Sequence, residues 1–194
     1  MPQGVRTPLS ASDAAPHDPM EAAFARVATA IGKYHVCKRC PPVVNEAQEC
    51  LGGNGYIEDS ILPRLYRQAP VNSIWEGSGN VQCLDVLRAL RREPATREAL
   101  MAALAGVAGE NRRLDDEARW IERTLDATDT LEARARLLTE RIALALAATQ
   151  LIRAGQAADL FIATRLDGQH GQCFGTLPAD APFDALIGRA FPES

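Results

Sequence analysis

Apolar residues recur at helical spacing along most of this chain. From Met20 to about Arg39 the positions Ala23, Phe24, Val27, Ala30, Ile31, Tyr34 and Val36 fall close to one face, which predicts an amphipathic helix. Pro41-Pro42 interrupts the pattern. Because proline is tolerated in the first turn of a helix, either a second helix from about Pro42 to Leu51 or a kinked continuation is expected there. Gly52-Gly53 supplies the left-handed residue that stops helices, and Gly55 lets the chain turn again. Between 56 and 74 the pattern is mixed; Pro63 and Pro70 act as breakers around a short helical turn from Leu62 to Gln68. Ser78 then reads as the N-cap of a helix from Gly79 to about Arg92, in which Val81, Leu84, Leu87 and Leu90 repeat every three residues.

After Pro94 the character changes. Segments 96–109, 110–127 and 131–166 are rich in Ala, Leu, Arg and Glu and free of proline, and the last is long enough to form one helix bent at Gly155. Residues 167–194 return to loops before a short helix from Asp184 to Ala190. At the other end, residues 1–19 carry four prolines and no apolar period, and are expected to be disordered. The organisation that follows is all-α: a loose segment at 1–19, a helical domain at 20–93, and a helical C-terminal extension at 94–194.

Composition agrees with helices, since only 5% of residues are aromatic. A net charge of -4 argues against a surface devoted to nucleic acid. No run of 18 apolar residues exists, so no membrane span is expected, and the first ten residues lack the apolar segment of a secretory signal. Five cysteines without a disulfide rhythm point to a reducing, cytoplasmic setting. His35-x-Cys37-x-x-Cys40 resembles half of a metal site, but it lacks a second pair of ligands; helix cysteines are the simpler reading, and no metal is expected.

Five of the 14 glycines lie in two turns, Gly52-Gly53-Asn54-Gly55 and Glu76-Gly77-Ser78-Gly79. Backbone without side chains lets a ligand or a second chain come close. With Arg64-Leu65-Tyr66-Arg67 between them, and Trp75 before Glu76, the order and spacing of these motifs resemble the C-terminal helical domain of the acyl-CoA dehydrogenases. Trp75, Pro70-Val71-Asn72-Ser73 and the run from Cys83 to Arg88 are similar to the AidB-like, alkylation-response branch, which also has a helical extension. The resemblance covers about residues 22–92; the helical N-terminal and central β-domains that the family places upstream are expected to be absent from this chain.

The resemblance implies an FAD-dependent α,β-dehydrogenation of an acyl-CoA. Glu76 matches the base that removes the α-proton, and its backbone N–H would help to polarise the thioester carbonyl. A carboxylate in a dry pocket would be a stronger base than one in water. Ser78 and Asn80 match positions at the FAD adenine portion, Gly52 and Gly53 match those approaching the FAD of a neighbouring subunit, and Arg67 matches a structural position. Glu49 stands where many dehydrogenases have Gln. The chain would then work as a homo-oligomer or with a partner chain.

Two other readings remain open. The branch is associated with DNA, and Arg112, Arg113, Arg119 and Arg123 offer a basic row, although Asp115, Asp116, Glu117 and Glu122 are interleaved as in a salt-bridged surface. A truncated, non-catalytic helical subunit would instead expose apolar faces on the helices between 20 and 51.

Overall fold

The structure is a computed structural model that describes residues 18–191; the segment 1–17 lies outside the described residues. Nothing among the described residues is a strand. Helix α1 runs from Pro19–Glu49, α2 from Gly53–Tyr56 and α3 from Leu62–Gln68, followed by a 3-10 turn at Ala69–Ser73. Then come α4 (Gly79–Arg92), α5 (Pro94–Ala105), α6 (Arg112–Asp126), a 3-10 turn (Thr128–Thr130), α7 (Ala135–Arg153), α8 (Ala158–Arg165) and α9 (Phe183–Ala190).

Local chemistry sets several of these boundaries. Asp18 accepts a hydrogen bond from the Met20 amide, and Pro19 fills the first helical position, where its missing N–H has no partner to lose. Asn111 caps α6 by accepting from the amides of Arg113 and Leu114. Gly155, at φ +60°, does more than bend the expected long helix: it ends α7, and α8 starts anew at Ala158.

Pro41 and Pro42 leave α1 unbroken, so of the two expected alternatives the continuation is found and the separate helix from Pro42 is not. Each proline removes one bond, to the carbonyl four residues earlier, those of Cys37 and Lys38. Lys38 and Arg39 are exposed, so water reaches that side of the helix and can satisfy a freed carbonyl.

The core is continuous from α1 to α8. Val27, Ile31 and Tyr34 of α1 meet Cys83, Val86, Leu87 and Leu90 of α4, Leu100 and Leu104 of α5, and Leu138 and Ile142 of α7. On the far side of α7 lie Leu114, Ile121 and Leu125 of α6 and Ile162 of α8. Helices 94–165 thus share one core with α1 and α4.

On α4 the buried face differs from the expected three-residue repeat. A 3.6-residue helix buries Gly79, Gln82, Cys83, Val86, Leu87 and Leu90, while Val81 and Leu84 rotate outward and are 56% and 40% exposed. Beyond Tyr34 no residue of α1 is buried, and Val36 and Val43, with Leu51 in the turn that follows, are exposed, as a helix awaiting a covering surface would leave them.

Candidate functional site

The chain reverses at Trp75-Glu76-Gly77 and enters α4. Glu76 has φ +57°, and among the described residues it alone combines a side chain with a positive φ. That backbone costs a non-glycine residue about 1–2 kcal/mol. Gly77, at φ +109°, follows it, and the Gln82 side-chain amide donates to the Gly77 carbonyl at 2.5 Å. Gly79 lies so close to α1 that a Cβ would come within 2.7 Å of the Lys38 side chain and 3.3 Å of the Tyr34 ring. A side chain here would displace the flexible end of Lys38 and press on the Tyr34 ring, so α4 lies in close contact with α1 at this point.

Two cations hold this junction. Lys33 Nζ donates to the Glu76 carboxylate at 2.6 Å and to the Trp75 carbonyl at 3.1 Å. Arg136, from α7, donates to Asn80 Oδ1 and to the Tyr34 hydroxyl, each at 3.3 Å, and stacks on the Tyr34 ring. Beside them Asn80, Cys83, Glu132 and Arg136 line a cleft of about 220 Å³.

The titration of these groups follows their surroundings. The hydrogen bond from Lys33, reinforced by its charge, lowers the Glu76 carboxyl below the ordinary carboxylate range. Burial raises Cys83, and burial raises Tyr34 against the opposing hydrogen bond from Arg136. The dry pocket expected around Glu76 is not formed by these residues: its side chain is 79% exposed, and its pKa moves down rather than up. A carboxylate on an open corner, beside an ammonium, keeps both its hydration and its ionisation.

The other sequence-predicted positions separate into two places. Ser78 has an extended backbone and stands exposed at the start of α4, but its side chain makes no capping bond. The first-turn amides of α4 consequently have no capping partner in Ser78. Gly52, at φ +56°, and Gly53 lie just beyond the C-terminal end of α1, away from the corner at its middle, with open space where a Cβ would be. Lys38, which marks the position of Gly79, and Gly52 are separated by a span of helix worth roughly 20 Å at 1.5 Å per residue. One copy of the chain does not bring the two turns together.

Arg67 pairs with Glu58 through two bonds of 2.6 and 3.1 Å, tying α3 to the turn before it. Glu49 accepts from Asn45 on the same helix. On α6, Arg113 meets Asp167 at 2.5 Å, Glu117 at 3.3 Å and the Leu166 carbonyl, and Arg119 pairs with Asp116. The basic row expected there is in part an ion-paired surface. His35, Cys37 and Cys40 form no metal cluster; among the described residues no group of three or more such ligands converges.

Sequence reasoning missed Lys33 and Arg136. Both contact the corner across long stretches of chain, and neither has a local motif. It also read Glu117 as a surface residue, whereas its side chain is fully buried and is held by Arg141 and Arg113. The position of Glu117, three residues after Leu114 and four before Ile121, would have placed it on the buried stripe.

Comparison with known proteins finds a partial family match and several similar chains. Residues 6–91 match the profile of the acyl-CoA dehydrogenase C-terminal domain. The chain is 50% identical to the AidB protein of Escherichia coli (strain K12) over 108 residues, which are 56% of this chain and 20% of that protein. Two solved structures are similar: the apo form of Bd2924, with a TM-score of 0.62 and 32% identity, covering 71% of this chain and 27% of that one; and Caenorhabditis elegans ACDH-11 in complex with C11-CoA, with a TM-score of 0.58 and 31% identity, covering 80% and 29%. The chain thus spans about a fifth of the length of its curated relative AidB.

Proposed function

From the premise that this chain carries the C-terminal helical domain of the acyl-CoA dehydrogenase family, we propose that it supplies the proton-accepting wall of an FAD-dependent acyl-CoA dehydrogenation site. Glu76 is the base. The observation that carries this reading is the strained corner: a carboxylate residue occupies a positive φ that glycine would take without strain, between Trp75 and Gly77. Strain of this kind persists where the side chain is needed at that point.

The α-proton of a thioester is acidic only while its carbonyl is polarised, and the Glu76 N–H serves as a donor for that oxygen. The Glu76 carboxylate takes the proton and becomes the neutral acid. Bound FAD supplies the acceptor for the hydride that leaves the β-carbon. Ser78 and Asn80 would hold one part of the cofactor, and Gly52 and Gly53 would approach that of a neighbouring copy. Arg136 fixes the Asn80 side chain from α7, so the proposed extension at 94–194 braces the proposed dehydrogenase domain at 20–93.

The open side of the corner is covered by polypeptide beyond these residues or by another subunit. Ile74, Trp75, Val81 and Leu84 are exposed around it and offer that cover an apolar seat. Removing water there would raise Glu76 from its lowered value and strengthen it as a base.

The test is α-deuterium exchange of a short acyl-CoA in D₂O, read alongside flavin absorbance and oligomer mass of the purified protein. Flavin retention, with exchange abolished in Glu76→Gln, is the expected result. Undiminished exchange in Glu76→Gln would remove Glu76 from the role of base.

A further inference from the structure

A second place in the molecule has unbalanced charge. Among the described residues the half-buried cations are Lys33, Arg97, Arg113, Arg141 and Arg165. The first four each meet a carboxylate: Glu76, Asp126, Asp167 and Glu117 respectively. Arg165, the last residue of α8, has no ion pair, hydrogen bond or ring contact among the described residues. Its guanidinium donors are therefore not used within the described residues and are open to an anion from outside the chain.

The surroundings of Arg165 fit one. It lines a cleft of about 200 Å³ with Arg39 of α1, His170 and the turn from Gly171 to Thr176, and no aspartate or glutamate is in the lining. Arg39 is held over the Phe174 ring at 5.6 Å, which orients its planar donor fork without using its hydrogen bonds. The turn itself is closed by Gly171 N donating to Thr176 Oγ1 and Thr176 Oγ1 donating to the Cys173 carbonyl. Thus two guanidinium groups from separate helices face one small space, and like charges held together favour a bound anion.

We infer that this cleft binds a phosphate group between Arg39 and Arg165. Two arginines match a dianion better than a single carboxylate, and the guanidinium fork suits tetrahedral oxygen atoms. Pockets for drug-sized ligands run from roughly 300 Å³ upward, so this one takes the phosphate itself or the phosphate end of a small monoester. The site is independent of the Glu76 corner and lies partly in the region beyond the family match.

Titration of the full chain with inorganic phosphate and, separately, with glycerol 2-phosphate, followed by calorimetry at fixed ionic strength, tests the inference. Saturable binding is expected, weakened at least tenfold in Arg165→Gln and in Arg39→Gln and unchanged in Arg112→Gln on exposed α6; the tighter of the two ligands identifies the source of the phosphate. Circular dichroism establishes that each variant folds, and should Arg165→Gln fail, the exposed Arg39 position decides. Binding that chloride abolishes equally well, or that survives both substitutions, overturns the assignment.

Discussion

Lys33 and Glu76 stand 43 residues apart in the chain and meet at 2.6 Å, with the same ammonium also on the Trp75 carbonyl. The contact ties the corner before α4 to α1 and holds the carboxylate in its charged form. Replacing Lys33 by Met should therefore raise the Glu76 titration toward the ordinary carboxylate range, first through the lost hydrogen bond and then through the lost charge. Carbon-13 NMR of the side-chain carboxyl reads this without any ligand. Because the folded-state value is depressed, the stabilisation from the pair is present above the unfolded-state value and is lost as pH falls through the lowered folded one. An unchanged Glu76 titration in Lys33→Met would mean that the pair does not form in solution.

The positive φ of Glu76 predicts an ordering of two variants. Glu76→Ala and Glu76→Gly both delete the carboxylate and its bridge, but only glycine relieves the backbone. Glu76→Gly should be the more stable by about 1 kcal/mol, in urea unfolding, while neither supports α-proton exchange. Equal stabilities would show that the corner relaxes to a negative φ once the side chain is gone.

Glu117 predicts a larger loss. Its carboxylate is fully buried between Arg141, whose Nε donates at 2.5 Å, and Arg113, and both Arg141 and Arg134 lie over the Trp120 ring. Glu117→Ala leaves Arg141 without its carboxylate, while Arg113 keeps Asp167, and should lower stability by about 3 kcal/mol, against less than about 0.5 kcal/mol for the exposed Glu122→Ala on the same helix. A loss no larger than that of Glu122→Ala would place the network in water.

The first glycine turn separates two kinds of glycine. A Cβ at Gly55 would overlap the Gln48 backbone, whose side chain in turn donates to the Gly55 carbonyl at 3.1 Å, whereas a Cβ at Gly53 meets nothing within 4 Å. Gly55→Ala should destabilise by about 2 kcal/mol and Gly53→Ala by less than about 0.5 kcal/mol. Comparable unfolding midpoints for the two would contradict this packing.

Much of the helical frame was legible from residues that act locally. Ser78 and Pro94 bracket α4, and Pro63 and Pro70 stand at the two ends of α3, so these limits follow from single residues. The failures came where distant packing decides. Nothing local decides between a break and a continuation of α1 at its two prolines, or which of the α4 leucines turn inward, because that depends on where α1 and α7 lie. For the site, Glu76 and the glycine turns stand out as motifs. Lys33 and Arg136 do not, since a lone cation acquires its meaning only from the carboxylate or amide that the fold sets before it.

Helix α1 also acts as a ruler. The ammonium clamp near its middle and the double-glycine bend at its far end are fixed relative to each other by the number of residues between them. Each added residue would swing that bend by about 100° and advance it by about 1.5 Å. One insertion between Lys38 and Gln48 would leave both stations chemically intact and yet out of phase, so any assembly that reads them together depends on the count as well as on the side chains.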